Sequence, residues 1–302
     1  MKILVTGSLG TVGSPLVKKL RELNYNVFEC DLVHSNRQNY KRVDIREYRQ
    51  VEDLFNDDFD IVYHLAAEFG RINGENHYEN LWKTNVIGTR HILEMQKKKK
   101  FKLIFSSSSE IYGDTNVDFM TENIFDNLAI EHHNDYSITK YVNEKQIKRF
   151  SKHFGTEYII LRFFNCFGPG EFYHPFRSVV CLFCYNAIMG LPIDVYSGGF
   201  RDYMYIDDLI ETLSGLVNSN VSNDTFNIGG NDYRSVNELC DLVFSTIGIQ
   251  KKNITYHDIE PANVLAKRPD IQKAIKLLGH TPKVQLEEGL KNTISWMKKV
   301  YK

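Results

Sequence analysis

The chain has 302 residues with a formal net charge of −1, and 42% of its residues are hydrophobic and 25% charged. This is typical of a globular protein with a large core and room for a second lobe. The balanced charge gives no indication of nucleic-acid or membrane partners, and no apolar run is long enough to span a bilayer. The five cysteines, an odd number without framework spacing, favour a reducing, cytoplasmic location.

Short apolar runs alternate with helical patterns through the first half of the chain. Strands are predicted at 2–6, 27–31, 61–65, 101–107 and 157–163, and helices at about 12–23, 46–56, 78–97 and 134–153. Strands this short and apolar are typical of a sheet buried on both faces. The alternation predicts an α/β fold with a doubly wound parallel sheet of the Rossmann type.

Beyond about residue 164 the alternation loosens, and no low-complexity linker interrupts the chain. Helices are predicted near 176–189, 235–247, 270–278 and 286–300, and a strand–loop–helix segment over about 193–217. We therefore expect a smaller C-terminal α/β lobe interwoven with the sheet. On this interpretation residues 1–165 and about 193–228 form the dinucleotide-binding domain, and about 166–192 and 229–302 form the substrate lobe.

A glycine-rich segment, Gly7-Ser8-Leu9-Gly10-Thr11-Val12-Gly13, follows the first predicted strand. Between a strand and a helix, such a turn lets the backbone approach a pyrophosphate, which the helix N-terminus then binds. The spacing is G-x-x-G-x-x-G, and its position after a strand makes a dinucleotide site the favoured interpretation.

Asp31 ends the second predicted strand. A carboxylate at this position binds the adenosine ribose and repels a 2′-phosphate, so the pattern predicts NAD rather than NADP. A solvated loop aspartate is the alternative interpretation. Asp44 and Ile45 follow a third strand and are predicted at the adenine.

Tyr136 and Lys140 lie four residues apart in a predicted helix and share one face. Free tyrosine has a pKa near ~10 and is a poor base at neutral pH. A lysine ammonium and an oxidised nicotinamide nearby would both favour the phenolate, which can take a hydroxyl proton while hydride leaves the same carbon. Such a pair is common on solvated helix faces, and the glycine turn upstream makes it informative.

A serine-rich segment, Ser106-Ser107-Ser108-Ser109-Glu110, follows a predicted strand. Ligands of open parallel sheets bind beyond the carboxyl ends of the strands, where these hydroxyls can hydrogen-bond the reacting oxygen. A plain serine-rich loop is the alternative interpretation. The three elements together predict redox chemistry on an alcohol carbon.

These motifs resemble the extended short-chain dehydrogenase/reductase family, in particular its NAD-dependent nucleotide-sugar epimerases and dehydratases. The resemblance runs through nearly the whole chain. Further motifs of the family are similar to the segments 64–67, 84–89, 162–169, 201–208, 226–230 and 268–271.

The resemblance implies roles for individual residues. Tyr136 is the base, Lys140 its activator and a nicotinamide-ribose ligand, and Ser108 the hydroxyl partner, with Glu110 a further catalytic candidate. The motifs and the resemblance together predict cofactor contacts from Gly7, Gly10, Thr11, Val12, Gly13, Asp31, Leu32, Asp44, Ile45, Leu65, Ala66, Ala67, Asn85, Ser106, Tyr136, Lys140 and Phe163. Substrate contacts are expected from Ser108, Glu110, Asn165, Arg201 and Arg268. No metal is expected, and the resemblance implies a homodimer through helices at about 78–97 and 134–153.

The reactions of the family begin alike, with oxidation of the sugar at C4, and then diverge. An epimerase returns the hydride to the other face, a 4,6-dehydratase removes water across C5–C6, a decarboxylase loses CO2 from a uronic acid, and a 4-dehydrogenase releases the ketone. Glu110 stands where dehydratases and decarboxylases resembling this chain carry a glutamate, although some epimerases carry one too.

One departure from the family bears on the substrate. Epimerases often have R-P-G-D where this chain reads Glu260-Pro261-Ala262-Asn263, so an expected phosphate-binding arginine is missing. We expect an NAD-dependent nucleotide-sugar epimerase. Dehydratase, decarboxylase and 4-dehydrogenase are the alternatives within the family, and a non-catalytic dinucleotide-binding sensor, which would usually lack the tyrosine or the lysine, is the alternative outside it.

Overall fold

The computed structural model describes residues 1–302 except 114, 116, 127 and 259–265. The first half of the chain alternates strands and helices, as the sequence predicts. Its elements are β1 (Lys2–Thr6), α1 (Gly13–Glu22), β2 (Asn26–Asp31), β3 (Tyr40–Arg42), α2 (Tyr48–Leu54), β4 (Ile61–His64), α3 (Arg71–Asn76), α4 (Tyr78–Trp82), α5 (Thr89–Lys99), β5 (Lys102–Ser108), α6 (Asp135–Phe154) and β6 (Tyr158–Phe163).

The second half has shorter strands between its helices. Its elements are β7 (Cys166–Phe167), α7 (Val179–Met189), β8 (Ile193–Tyr196), β9 (Phe200–Tyr205), α8 (Ile206–Gly215), β10 (Asp224–Ile228), β11 (Asp232–Ser235), α9 (Val236–Ile247), β12 (Ile254–His257), β13 (Ala266–Lys267), α10 (Gln272–Leu278) and α11 (Leu286–Tyr301). The segment predicted as strand–loop–helix over 193–217 contains two strands, because the short turn at 197–199 lets the chain re-enter a sheet at once.

The largest sheet has seven strands in the order β10-β6-β5-β4-β1-β2-β3. The pairs β1–β2, β1–β4, β4–β5 and β2–β3 are parallel. Ile3, Leu4 and Val5 on the inner strand β1 are fully buried, as expected for a strand covered on both faces. The strand order reverses between β1 and β4, so ligands are expected beyond the carboxyl ends of these two strands. The predicted Rossmann-type sheet is confirmed.

The contacts within the chain divide it into two compact units. The first comprises Met1–Ile111, Asn134–Arg162 and Thr212–Phe226, and the second comprises Tyr112–His133, Phe163–Glu211 and Asn227–Lys302. Each unit is formed by three segments that are not contiguous in sequence. The predicted division, with residues 1–165 and about 193–228 in the dinucleotide-binding domain, stays a prediction about function.

A layer of helices covers one face of the first unit's sheet. The central strands contribute Leu4, Val62, Leu103 and Ile160 to a single apolar cluster, which the helices complete with residues such as Phe150. No helix in the described part of the chain is both long and apolar enough to cross a membrane.

The helix predicted over 78–97 is not continuous. The chain forms α4, then a π-helical turn over Lys83–Gly88, and then α5. At the end of the turn, a β-carbon on Gly88 would lie 2.7 Å from the Cδ1 atom of Ile45, so only glycine fits without displacing that side chain. The wide turn thus brings this backbone against the loop that follows β3.

The second unit is built on a four-stranded sheet in which β9 pairs with β7, β11 and β13. A separate two-stranded pair joins β8 to β12. The sequence patterns did not predict β7 or β13, because a strand of two residues is too short to show alternation. The helices α7, α9 and α11 of the second unit pack together, and each has buried apolar side chains, such as Cys184, Val243 and Leu290.

A buried ion pair joins α6 to the sheet of the first unit. Arg162 on β6 donates from Nη2 to Oε2 of Glu144 at 2.8 Å and from Nε to Oε1 at 3.0 Å. Ser107 on β5 donates its hydroxyl to the same carboxylate at 2.6 Å. Both charged side chains are only 2% exposed. The pair therefore fixes α6 against the ends of two strands.

Glu144→Gln tests this ion pair. The substitution leaves the guanidinium of Arg162 buried without its counter-charge, and we expect the free energy of unfolding to fall by about 3–5 kcal/mol. Denaturant unfolding measures the change. The matched control is Glu94→Gln, which removes the pair of Glu94 with Arg90 on a partly exposed helix face and should cost under ~1 kcal/mol. Equal losses in the two variants would contradict the assignment.

Candidate active site

The glycine-rich turn between β1 and α1 is closed too tightly for side chains. Gly7 has φ +68°, and a β-carbon there would lie 2.7 Å from the backbone nitrogen of Ala66. A β-carbon on Gly13 would lie 2.1 Å from the carbonyl oxygen of Gly7. The amide of Gly10 closes the turn by donating to that same carbonyl at 3.1 Å. The backbone is therefore open to a ligand where side chains would otherwise stand.

The N-terminus of α1 suits an anion. The side chain of Val12, at the N-cap, makes no capping hydrogen bond, and the first turn contains no acidic residue. The amide groups there carry a positive partial charge and need acceptors. Asp31 lies beside the turn, where its carboxylate accepts from the amide of Leu9 at 3.0 Å. The residues of this region therefore fit the predicted dinucleotide site.

His64, at the end of β4, links the end of β1 to the start of α5. Its ring nitrogens lie 2.8 Å from the hydroxyl of Thr6 and 3.0 Å from the hydroxyl of Thr89. Burial lowers the pKa of His64 to about 3, so the imidazole stays neutral. The hydroxyl of Thr6 also accepts from the amide of Ala66 at 3.2 Å. The predicted cofactor segment Leu65, Ala66 and Ala67 is thus held at the carboxyl edge of the sheet.

Asn85 and Asp44 have partners within the chain. The Asn85 amide accepts from the backbone of Glu68 at 2.8 Å and donates to the hydroxyl of Thr139 at 3.1 Å. A hydrogen bond from Arg46 lowers the pKa of Asp44. The cofactor contacts predicted for Asp44, Ile45, Asn85, Leu32 and Phe163 stay predictions. The side chain of Leu32 is 49% exposed and so is accessible from solvent.

Tyr136 and Lys140 lie on one face of α6, against the carboxyl end of β5. Lys140 donates from Nζ to the carbonyl oxygen of Ser106 at 2.8 Å, and Nζ lies 5.8 Å from the centre of the Tyr136 ring. Burial raises the pKa of Tyr136 to about 12, which the hydrogen bond with Ser108 opposes. Burial lowers the pKa of Lys140 to about 8, which the charge of Glu144 opposes. The structure brings together the predicted base, activator and hydroxyl partner.

Glu110 joins this group. Its amide donates to Oγ of Ser108 at 3.2 Å, and its negative charge raises the pKa of Tyr136. Arg71 on α3, which the sequence reasoning did not identify, has its Nε 4.0 Å from Oε1 of Glu110. A β-carbon on Gly74 would lie 3.6 Å from Cβ of Tyr136, so α3 packs directly beside the start of α6. A helix of six residues shows no clear period in sequence, and Arg71 therefore gave no signal.

Of the three residues predicted to contact substrate from the second unit, Arg201 lies on β9, Asn165 lies beside β9, and Arg268 follows β13. Asn165 donates from Nδ2 to the carbonyl oxygen of Asp202 at 3.0 Å, and Arg201 is 6% exposed. The guanidinium of Arg268 lies 4.4 Å from the ring centre of Phe119 and 5.1 Å from that of Tyr233. Tyr233 is paired with Asp202, next to Arg201 on β9.

Because side chains alternate along a strand, Arg268 and Arg201 project from opposite faces of this sheet. The stretch Glu260-Pro261-Ala262-Asn263, where the family's second arginine is missing, lies outside the described residues.

A family model described as the NAD dependent epimerase/dehydratase family matches residues 3–229. The chain belongs to this family. The glycine turn and the Ser108–Tyr136–Lys140 group both fall within the matched residues, and the cofactor of the family is NAD.

Similar proteins match the chain over its whole length. A putative UDP-glucose 4-epimerase of Methanocaldococcus jannaschii is 34% identical over 98% of both chains. UDP-glucuronic acid decarboxylase 1 of Xenopus tropicalis is 32% identical over 99% of this chain and 72% of its own. The crystal structure of the UDP-glucose 4-epimerase of Thermotoga maritima with UDP-glucose superposes with a TM-score of 0.91 and 30% identity over 100% of both chains.

Gly13→Ala tests whether the tight turn forms the cofactor site. The new methyl group would meet the carbonyl of Gly7, so the turn must open, and we expect NAD to bind at least about tenfold more weakly. The control is Gly215→Ala at the end of α8, where a β-carbon would meet nothing within 4 Å. Titration of each cofactor-free protein with NAD measures the effect. Unchanged affinity in Gly13→Ala would place the pyrophosphate elsewhere.

Proposed function

We propose that this chain is an NAD-dependent nucleotide-sugar 4-epimerase that acts on a UDP-hexose. The observation that carries the proposal is the arrangement of Ser108, Tyr136 and Lys140 at the carboxyl end of β5 in a member of this family. The putative epimerase from M. jannaschii and the T. maritima enzyme, solved with UDP-glucose, support this reaction and this nucleotide.

The cofactor is proposed at the glycine turn, with Asp31 at its adenosine ribose. A carboxylate held there by the amide of Leu9 would repel a 2′-phosphate, which favours NAD over NADP. Bound NAD supplies the acceptor and the donor for the hydride at C4 of the sugar. Lys140 is proposed to bind the nicotinamide ribose in addition to the Ser106 carbonyl.

Tyr136 is proposed to take the proton of the C4 hydroxyl, with Ser108 sharing the hydrogen bond. Burial by itself keeps the phenol protonated at neutral pH, because it raises the pKa to about 12. The ammonium of Lys140 is charged below its pKa of about 8 and favours the phenolate. The proposal therefore expects activity that falls as the pH rises past about 8 and Lys140 loses its proton.

The nucleotide end of the substrate is proposed at Asn165 and Arg201. A guanidinium can hold two phosphate oxygens at once, which favours Arg201 for the diphosphate. Arg268 is kept as a predicted substrate contact. We also propose a cytoplasmic homodimer. The family resemblance supports a dimer through α4, α5 and α6, and the five cysteines, all free, suit a reducing compartment.

Tyr136→Phe tests the reaction. It removes only the oxygen that moves the proton, so folding and NAD binding should survive while turnover falls by roughly 10²–10⁴-fold. Purified protein is incubated with UDP-, GDP-, dTDP- and CDP-hexoses, and the C4 epimer is followed by NMR. The unmutated enzyme should interconvert a UDP-hexose pair. Absence of any turnover with every nucleotide sugar would favour a non-catalytic dinucleotide-binding protein.

A decarboxylase or dehydratase is the second candidate, and Glu110 favours it. Its negative charge raises the pKa of Tyr136, and Arg71 lies near its carboxylate. Glu110 is therefore close enough to Tyr136 to serve as a second acid or base. The 32% identity with the X. tropicalis decarboxylase supports the same alternative. Loss of water removes a proton at C5 and protonates the leaving hydroxyl, and loss of CO2 leaves an enolate that must be protonated at C5, so both reactions use a further acid or base. Epimerisation at C4 moves no proton at C5. A 4-dehydrogenase, which releases the ketone, would need no such group.

Glu110→Gln separates these reactions. The amide keeps the size of the side chain and loses its charge and basicity. An epimerase should keep its activity within about tenfold, or near 1.4 kcal/mol of barrier. A dehydratase or decarboxylase should stall after oxidation, with the absorbance of reduced cofactor persisting in the mixture. The unmutated enzyme gives an independent reading, because solvent deuterium at C5 of its product would contradict simple epimerisation at C4.

A further inference from the structure

A buried carboxylate lies on β2 just before the residue predicted to bind the adenosine ribose. Glu29 and Asp31 project from the same face of the strand, because side chains alternate along it. The side chain of Glu29 is 0% exposed, and none of the cofactor contacts predicted above involves it. Burying a carboxylate is costly unless it is paired, so its partners indicate what its charge does.

Two arginines enclose the carboxylate of Glu29. Nη2 of Arg21, in the last turn of α1, lies 2.8 Å from its Oε1. Nη1 of Arg37, in the loop between β2 and β3, donates to its Oε2 at 3.1 Å. The two arginine side chains are 37% and 39% exposed, so they separate the carboxylate from solvent. Two cations and one anion leave this cluster with a single net positive charge.

Arg37 lies next to both elements of the proposed adenosine site. Its Nη2 donates at 3.3 Å to Oγ of Ser14, in the first turn of α1. The carboxylate of Asp31 accepts from the amides of Leu9 and Val33 at 3.0 and 3.3 Å, so it joins the loop that contains Arg37 to the glycine turn. A guanidinium in this place suits the 2′-phosphate of NADP, because arginine can bind two phosphate oxygens at once.

The backbone of the loop is held independently of Arg37. Nε of Arg42 donates to the carbonyl oxygen of Leu32 at 3.0 Å, at the start of the loop. Nη2 of Arg21 donates to the carbonyl oxygen of Gln38 at 3.0 Å, near its end. Because both ends of the loop are fixed in this way, the direction of the Arg37 side chain depends on the carboxylate that it binds.

We propose that Glu29 is a second determinant of the preference for NAD over NADP, because it withholds Arg37 from the 2′-phosphate. This inference rests on the proposed function, which assigns only Asp31 to this discrimination. Asp31 repels the phosphate directly, whereas Glu29 acts through the arginine and is a positioning residue. With Glu29 charged, both terminal nitrogens of Arg37 are engaged, one by the carboxylate and one by Ser14. Without that charge the guanidinium can turn toward the ribose.

The two acidic residues therefore act jointly. Neutralising Glu29 alone leaves the repulsion from Asp31, and replacing Asp31 alone leaves Arg37 paired. A cation becomes available to a phosphate that nothing repels only when both residues are changed. The effects of the two substitutions on the free energy of NADP binding should thus be more than additive, as is common for residues that share a partner.

Titration of the cofactor-free protein with NAD and NADP tests the proposal without any need for turnover. The fragments 5′-AMP and 2′,5′-ADP differ only in the 2′-phosphate and so isolate the ribose end. We expect Glu29→Gln alone to strengthen binding of 2′,5′-ADP by less than about threefold. Added to Asp31→Ser, the same change should strengthen it by roughly 10- to 100-fold and leave the affinity for 5′-AMP unaltered. NADP should follow 2′,5′-ADP, and NAD should follow 5′-AMP.

Arg37→Met shows whether the gain comes from the arginine. Added to the double variant, it should remove the gain. Added to Asp31→Ser alone, where Glu29 still holds the guanidinium, it should change the affinity for 2′,5′-ADP by less than about twofold. This second comparison decides the matter even if Glu29→Gln does not fold. The matched control is Glu22→Gln, which removes a carboxylate from an exposed pair with Lys18 on α1 and should leave every affinity unchanged.

The outcomes distinguish this inference from the proposed function. If Glu29→Gln adds nothing to Asp31→Ser, the role of Glu29 is overturned and the proposed function stands. A gain that survives Arg37→Met would come from the loss of negative charge alone and would overturn the release of the arginine. An unmutated protein that binds neither NAD nor 5′-AMP would overturn the proposed cofactor site and this inference together. Failure to epimerise any nucleotide sugar, with the titrations as expected, would overturn the proposed function alone.

Discussion

The geometry of the candidate active site depends on the buried ion pair between Glu144 and Arg162. The carboxylate of Glu144 is its central group. It accepts hydrogen bonds from Ser107 on β5 and from Arg162 on β6, so it fixes the rotation of α6 about its own axis. Lys140 lies one helical turn before it and Tyr136 one turn earlier still, all on one face. A rotation of the helix by one residue would turn that face away from the ends of the strands. The same negative charge also opposes the loss of the lysine's proton on burial.

Burial moves the two central groups of the site in opposite directions, and both shifts favour the uncharged form. The phenol of Tyr136 holds its proton more tightly than in water, and the ammonium of Lys140 holds it less tightly. The pKa values of such buried groups shift strongly when a charged ligand binds, because water screens charges poorly in a site of low polarity. The chemistry of the tyrosine is therefore coupled to what is bound beside it.

Much of the fold could be predicted because its signals are local. The buried strands of the large sheet are continuous apolar runs, and the glycine turn and the Tyr136–Lys140 spacing each fall within a few residues. The face of the sheet from which Lys267 projects could not be predicted. It depends on the pairing of Lys267 with Arg201, 66 positions earlier in the chain. The position of Arg71 could not either, since α3 is too short for a period. The motif around Arg268 could be recognised from neighbouring residues. The direction of its side chain could not, because it depends on contacts with Phe119 and Tyr233, which are distant in sequence.

The π-helical turn over Lys83–Gly88 amounts to one additional residue within an otherwise α-helical stretch. Each residue of an α-helix advances the side-chain direction by about 100°. Without the extra residue, α5 would be rotated by about that angle relative to α4, and Ile92 and Leu93 would no longer both face the apolar cluster of the first unit. The packing of the helices therefore makes this segment intolerant of changes in length. Among relatives of this chain, an alignment gap within 83–88 would signal a repacked helix layer rather than a trimmed loop.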